Sequence, residues 1–402
     1  MILYSFLGAG PLRNTVYEWN GTQTQTEFSC VACANILNPE KIVIFETADG
    51  SSRHEKLVPQ LADIPVEFVM IEDGKNTTEL WQIFSKIVES IPENSQITFD
   101  VTNGFRFYPL LGLLAASFVE TVKNAQIKYM FYGNYEANRD DSPKPMLDLT
   151  PMLDLLKWTT YADRFMQSGD STDLAKMVEK LRDSYPHRDV KHTHLDHMAN
   201  DLKNISEAYL MLRPEDVRKT AIKLKEDTEL VEEDITGNAE EQPLGMLMEK
   251  IHDQYLEYSD NISEDHDLQI LRYQRDMIFR YQSLGQYMQA VSLAKEWIQT
   301  WVMAWLGVAE SDMFNSEYRK DFNKQIGDFC NNKNVSFFCK DQISQFISVN
   351  KLKTIYKDLS TYRNDLDHAG QDERANSARD LKKRIDDVLF KLKDLKLPDD
   401  EE

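Results

Sequence analysis

The chain has 402 residues, room for two or three domains, and 42% of them are apolar, so sizeable cores are available. No apolar run approaches the roughly 18 residues that a membrane-spanning helix needs. The net charge of −21 argues against a protein that holds long nucleic acid on a broad basic surface, but not against an enzyme that grips one or two phosphates with a few Arg.

Residues 1–135 alternate short β-rich runs with helical periods. Strands are expected at Ile2–Leu7, Lys41–Thr47, Val66–Ile71, Gln96–Val101 and Ile127–Tyr132. Helices are expected at Thr26–Leu37, Glu55–Asp63, Thr78–Ser90 and Leu110–Val122, the first opened by a Thr24-x-x-Glu27 capping box. Such alternation predicts a doubly wound α/β domain, whose ligands bind at the carboxyl ends of the strands. Met1 to Phe6 enters the first strand with no basic leader, which argues against secretion, and a cytoplasmic, reducing setting is expected.

Two strand ends carry chemistry. The first strand runs into Gly8-Ala9-Gly10-Pro11-Leu12-Arg13, and the fourth into Thr102-Asn103-Gly104-Phe105-Arg106. Both combine small residues, which permit close backbone approach, with groups that suit phosphate and ribose. Gly8-Ala9-Gly10 lacks the third Gly of a dinucleotide fingerprint, so a nicotinamide cofactor is not expected. Asn103-Gly104 also reads as a plain turn after a strand, with Arg106 tilting it toward anion binding. Cys30-x-x-Cys33 has no second pair at ligand spacing and reads as core.

Pro143, Pro145 and Pro151 mark a boundary near 137–150, beyond which almost everything reads as helix. Amphipathic helices are expected at Asp170–Asp183, Leu195–Leu212 and Pro214–Glu232. A long apolar period follows over Leu268–Leu306, broken at Gly285, and Ala375–Leu395 closes the set. Trp297, Trp301 and Trp305 form a stripe expected to be core or dimer interface. His192, His194 and His197 fall in what reads as an exposed polar link. Asp196 and Asp201 are near, but no acidic or Cys cluster completes a metal site, and none is expected.

Arg363-Asn364-Asp365-Leu366-Asp367-His368 holds what metal-free RNA cleavage needs. An Arg can stabilise charge on a phosphate, and a His can move protons. With 17 Arg and 8 His, roughly one Arg/His pair separated by four to six residues is expected by chance. Three Arg residues head such pairs. Arg182–His187 contains Pro186, and Arg188–His194 lies in the polar link. Only Arg363–His368 follows a helical run, Lys351–Leu359, and ends at a helix stop, Ala369-Gly370. Five residues leave the two side chains about 140° apart on an ideal helix, so a kink or a second copy across a two-fold axis is needed to bring them together.

Taken in this order, Gly8-Ala9-Gly10, Asp100-Val101-Thr102-Asn103-Gly104-Phe105-Arg106, Asp148-Leu149-Thr150-Pro151, Gly285 to Ala290 and Arg363 to Gly370 resemble the accessory ribonucleases of type III CRISPR systems. These have an N-terminal Rossmann-like CARF domain and a C-terminal HEPN domain. The resemblance implies an α/β plus all-α chain with a ligand-sensing domain over residues 1–140, a helical linker or insertion over 141–265 and a ribonuclease domain over 266–402. It implies a homodimer or higher even oligomer whose paired CARF domains bind a cyclic oligoadenylate, the tetra-adenylate favoured over the hexa-adenylate, as allosteric activator. Gly8, Ala9, Gly10, Arg13, Thr102, Asn103, Gly104, Phe105 and Arg106 would line that pocket, with hydroxyls from Thr22–Thr26 contributing. Arg363 and His368, supported by Asn364, would then cut single-stranded RNA without a metal. A ligand-sensing regulator without ribonuclease activity, and an enzyme that degrades the cyclic activator itself, are the competing readings.

Overall fold

The expected alternation in the first third of the chain closes into one eight-stranded sheet. The computed structural model describes residues 1–8, 10, 12–61, 64–135, 137, 142–183, 190–235, 245–247, 251, 266–371 and 375–398. These fall in two compact units, Met1–Lys157 and Trp158–Glu402.

In the first unit the strands are β1 (Ile2–Leu7), β2 (Thr15–Trp19), β3 (Thr22–Thr26), β4 (Lys41–Glu46), β5 (Val66–Met70), β6 (Gln96–Asp100), β7 (Gln126–Gly133) and β8 (Lys144–Asp148). Their order across the sheet is β3-β2-β8-β7-β6-β1-β4-β5. The run β7-β6-β1-β4-β5 is parallel throughout. Helices α1 (Ser29–Leu37), α2 (His54–Leu57), α3 (Thr77–Ser90) and α4 (Tyr108–Lys123) supply the crossovers.

The central strands bury both faces. Tyr4, Phe6, Val43, Phe45 and Phe99 pack under α3 and α4 with Ile83, Ile87 and Ala115. Leu3, Leu7, Ile42 and Ile44 pack on the other side with Val31, Cys30 and Cys33 of α1. This period-two division explains why each central strand reads as a continuous apolar run. Burial, with Asp100 nearby, pushes the thiol pKa of Cys30 and Cys33 upward, which fits packing rather than redox or metal chemistry.

The structure corrects three sequence expectations here. The Thr24-x-x-Glu27 capping box does not form, because Thr24 pairs with Tyr17 in a β2–β3 hairpin and α1 starts later, at Ser29, with Phe28 as an uncapped N-cap. The Glu55–Asp63 helix shrinks to α2, flanked by 3-10 turns at Gly50–Arg53 and Val58–Leu61. The stretch near 145 that the prolines mark as a boundary holds strand β8, antiparallel to β7. Its pairing, and the burial of Leu153 in the sheet's core, carry the first unit to Lys157.

The second unit is helical. It comprises most of α5 (Thr150–Ser168), then α6 (Thr172–Asp183), α7 (Val190–Leu210), α8 (Pro214–Ile235), α9 (His266–Ser283), α10 (Tyr287–Trp305), α11 (Glu310–Met313), α12 (Ser316–Cys330), α13 (Lys340–Ser344), α14 (Val349–Asp367) and α15 (Ala378–Lys393). Gly285, with φ of 74°, sits in the expected break between α9 and α10. Trp297 and Trp301 are fully buried, their indole N–H groups donating to the carbonyls of Leu271 and Lys396, so the Trp stripe is core. The His-rich segment also differs from expectation: His194 and His197 lie on α7, while His187 and Arg188 lie outside the described residues. Among the described residues no helix is long and apolar enough to cross a membrane.

Candidate functional site

Two constellations expected from the sequence can be placed, one in each unit. In the α/β unit, β1 and β6 are parallel neighbours, and the chain winds outward from them in opposite directions, to β4 and β5 on one side and to β7 on the other. Their carboxyl ends therefore flank the switch point where sheets of this kind open a crevice.

The loops after both strands meet there. A Cβ on Gly8 would stand 2.7 Å from the Cα of Gly104. Gly104 itself has φ of +109°, and a Cβ on it would lie 2.2 Å from the Tyr108 ring. Arg53, which sequence reasoning missed, donates through its guanidinium to the carbonyls of Gly8 and Gly10 and so fixes the first loop. Nothing in the local pattern marks Arg53, which lies 45 residues from Gly8. Ala9 lies outside the described residues. Arg13 is exposed, and its carbonyl accepts the Tyr135 hydroxyl at 2.8 Å.

Asp100 organises the second loop. Its carboxylate accepts from Ser5 Oγ at 2.8 Å, Ser29 Oγ at 2.6 Å and the Thr102 N–H at 3.1 Å. Burial pushes its pKa up, while the hydrogen bonds from Ser29, Thr102 and Ser5 pull the other way. Asn103 donates to Ser29 at 2.8 Å, and Thr102 Oγ1 accepts the Gly133 N–H at 2.7 Å. Thr102 and Asn103 thus anchor the loop. Its exposed groups are Phe105, stacked on Phe107 at 5.7 Å, and Arg106: an aromatic face and a cation, as a base and a phosphate would require. The Thr22–Thr26 hydroxyls are placed differently. They lie on the edge strand β3, and Thr26 is buried and donates to Gln60.

In the helical unit, α14 is capped by Ser348, whose hydroxyl accepts the Lys351 N–H at 3.2 Å. It buries Leu352, Ile355, Leu359 and Tyr362 and ends at Asp367. Ala369 and Gly370 both take positive φ, and the Gly370 N–H donates to the Asp365 carbonyl at 3.2 Å. The Asp365 carboxylate accepts from Asn376 Nδ2 at 2.9 Å, tying the following chain back. Exposed His368 and Asn364 share the resulting cleft of about 630 Å³ with Asp365 and Asn376.

Arg363 does not line that cleft. Its Nη1 stands 3.8 Å from Glu296 of α10 and its Nε 3.5 Å from Asp367, and the buried Nε makes no hydrogen bond. Glu296 is also held by Arg319 at 2.9 Å. The structure therefore brings Asn364 and His368 together and leaves Arg363 facing elsewhere, as the helical advance requires.

Lys295, beside Glu296, is buried. It donates to Ser360 Oγ at 2.6 Å and lies 2.9 Å from the centroid of the Tyr356 ring. Burial lowers its pKa from 10.5 to about 7, with Arg363 adding to the fall and Cys330 and Glu296 opposing it. The unfolded chain thus binds a proton between about pH 7 and 10.5 that the folded chain does not. Stability rises with pH across that window, and below it the full penalty applies. Lys295→Met is expected to stabilise the protein at pH 7 by roughly 1–3 kcal/mol, with the gain shrinking toward pH 10. Thermal melts across this range would show parallel curves if Lys295 were not the cause.

Residues 154–261 match the family model described as the second domain of CRISPR-associated protein MJ1674. The protein of that name from Methanocaldococcus jannaschii is 26% identical over 149 residues, 36% of this chain and 23% of that protein, so the match spans less than a quarter of that relative. Csm6 of Enterococcus italicus, solved bound to cyclic hexa-2′-fluoro-hexa-dAMP, is similar over 98% of this chain and 93% of that one, at 9% identity and a TM-score of 0.45, too distant a likeness to carry an argument. The family model and the Methanocaldococcus jannaschii relative both carry the description CRISPR-associated protein, the class that the sequence resembles.

Proposed function

We propose that the protein is an accessory endoribonuclease of type III CRISPR defence, cytoplasmic, activated by a cyclic oligoadenylate and cutting single-stranded RNA at a composite Arg/His site. The α/β unit is read as the CARF sensor, with Gly8–Arg13 and Thr102–Arg106 at the switch point as its ligand loops. The stretch from 266 to 402 is read as the HEPN domain, with 141–265 linking the two.

The observation that carries this reading is the arrangement at the end of α14. His368 and Asn364 open onto a cleft, while Arg363 is held only loosely and faces away from it. A second copy of the helix across a two-fold axis would set the Arg of one chain beside the His of the other. Arg363 would then hold the non-bridging oxygens of the scissile phosphate. The RNA 2′-oxygen bonds to phosphorus as the bond to the 5′-oxygen breaks. The proton leaves the 2′-hydroxyl and one is delivered to the 5′-oxygen, with His368 performing one of these transfers. The products are a 2′,3′-cyclic phosphate and a 5′-hydroxyl, and no metal is required.

Incubating the protein with single-stranded RNA, EDTA and cyclic tri-, tetra- or hexa-adenylate tests this. Cleavage is expected in the presence of chelator, strongest with the tetra-adenylate. An absence of cleavage with all three rings overturns the reading in favour of a sensor without ribonuclease activity.

A further inference from the structure

Helix α7 carries a second cluster that RNA cleavage does not use, and it stands independently of the function proposed above. His194 and His197 are three residues apart and so share a face of α7. That face meets Asp227 of α8. The two Nδ1 atoms stand 3.9 and 3.7 Å from the same carboxylate oxygen, Asp227 Oδ1, too far for hydrogen bonds. A donor atom from each of the three residues falls within 4.8 Å of the other two.

The His194 Nδ1 atom is buried and has no hydrogen-bond partner. An unsatisfied buried nitrogen destabilises the fold, and a bound cation would remove that cost. The two imidazole rings are nearly perpendicular, at 89°, so neither stacks across the gap. Tetrahedral zinc, with bonds of about 2.0–2.1 Å, separates its ligand atoms by roughly 3.4 Å. Small side-chain rotations would bring these three to that spacing. The side chain of His197 is 57% exposed, which leaves a fourth position open to water. Asp201, one turn beyond His197, lies against Asp227.

We propose that His194, His197 and Asp227 form a divalent transition-metal site of the zinc type, which clips α7 to α8. Two imidazoles and one carboxylate suit zinc better than calcium or magnesium, whose sites are built from oxygens. Bound this way, each imidazole offers unprotonated Nδ1 to the metal and keeps its proton on Nε2.

The test uses untagged full-length protein, stripped with EDTA, dialysed, and titrated with zinc chloride in a calorimeter. One zinc per chain is expected, with a Kd at or below about 1 µM. With free zinc a hundredfold above Kd, Tm should rise by roughly 5–10 °C. Cobalt(II) in place of zinc should give the visible absorption of a tetrahedral ion. His197→Gln changes an exposed position and should fold normally; it and Asp227→Asn should each weaken zinc binding by roughly 10–100-fold. Absence of stoichiometric zinc binding, or unchanged affinity in both variants, would overturn the proposal. RNA cleavage that survives EDTA while Tm falls would be the joint expectation of this site and the metal-free active site.

Discussion

Replacing Arg363 or His368 by Ala is expected to lower activator-dependent RNA cleavage by about a thousandfold or more, while binding of cyclic oligoadenylate is unchanged. Losing the proton-transfer group removes roughly 10²–10⁴ of rate, and losing the charge that faces the phosphorane removes a comparable amount. Neither change should unfold the helical unit, because His368 is exposed and Arg363 makes only long ion pairs. Mixing the two variants sharpens the result. If the Arg of one chain works with the His of its neighbour, each mixed dimer regains one intact site of two. An equimolar mixture, half of it mixed dimers, should then recover about a quarter of the wild-type activity. No recovery would sink the crossed arrangement, and full activity in either single variant would sink the site.

Gly104→Ala should be the most damaging small substitution in the α/β unit. The new methyl meets the Tyr108 ring at 2.2 Å, and φ of +109° is a conformation that only Gly adopts without strain. A loss of about 2–4 kcal/mol is expected, with activator binding abolished because the loop after β6 must shift off the Tyr108 ring. Gly10→Ala is the control, since nothing lies within 4 Å of its added Cβ and its backbone needs no positive φ. Thermal melts and equilibrium binding of cyclic tetra-adenylate read both effects. Equal behaviour of the two variants would show that the loop geometry is not what limits either property.

Much of the fold was legible because its signals are local. The central strands β1, β4 and β6 stand out as apolar runs, since a strand buried on both faces needs no alternation. The hairpin β2–β3 was missed although Asn20-Gly21, both at positive φ, is a strong two-residue turn signal. The reason is β3 itself, Thr-Gln-Thr-Gln-Thr, a polar edge strand with no hydrophobic period to read. Strand β8 was hidden by Pro143 and Pro145, which read as a boundary.

At the candidate sites, the sequence identified the segments but not the partners. Asp100 appeared only as the head of a motif, yet it joins Ser5, Ser29 and Thr102, and the first two lie 95 and 71 residues away. The side chains of Thr102 and Asn103, which the sequence offers as ligand groups, also bond to Gly133 and Ser29, partners 31 and 74 residues away. Asp227, which gives His194 and His197 an acidic neighbour, lies on the next helix and is joined to them only by tertiary packing.

Glu296 stands between two guanidinium groups at unequal range, Arg319 at 2.9 Å and Arg363 at 3.8 Å. On the proposed mechanism, an incoming phosphate must draw Arg363 away from that carboxylate. In a buried ion pair this would strand an uncompensated charge and raise the barrier to capture. Here Glu296 keeps Arg319 as counterion, so releasing Arg363 is an exchange of one anion for another rather than the breaking of a pair. A chain of net charge −21 can thus offer a cation to RNA while keeping the neighbouring acid neutralised.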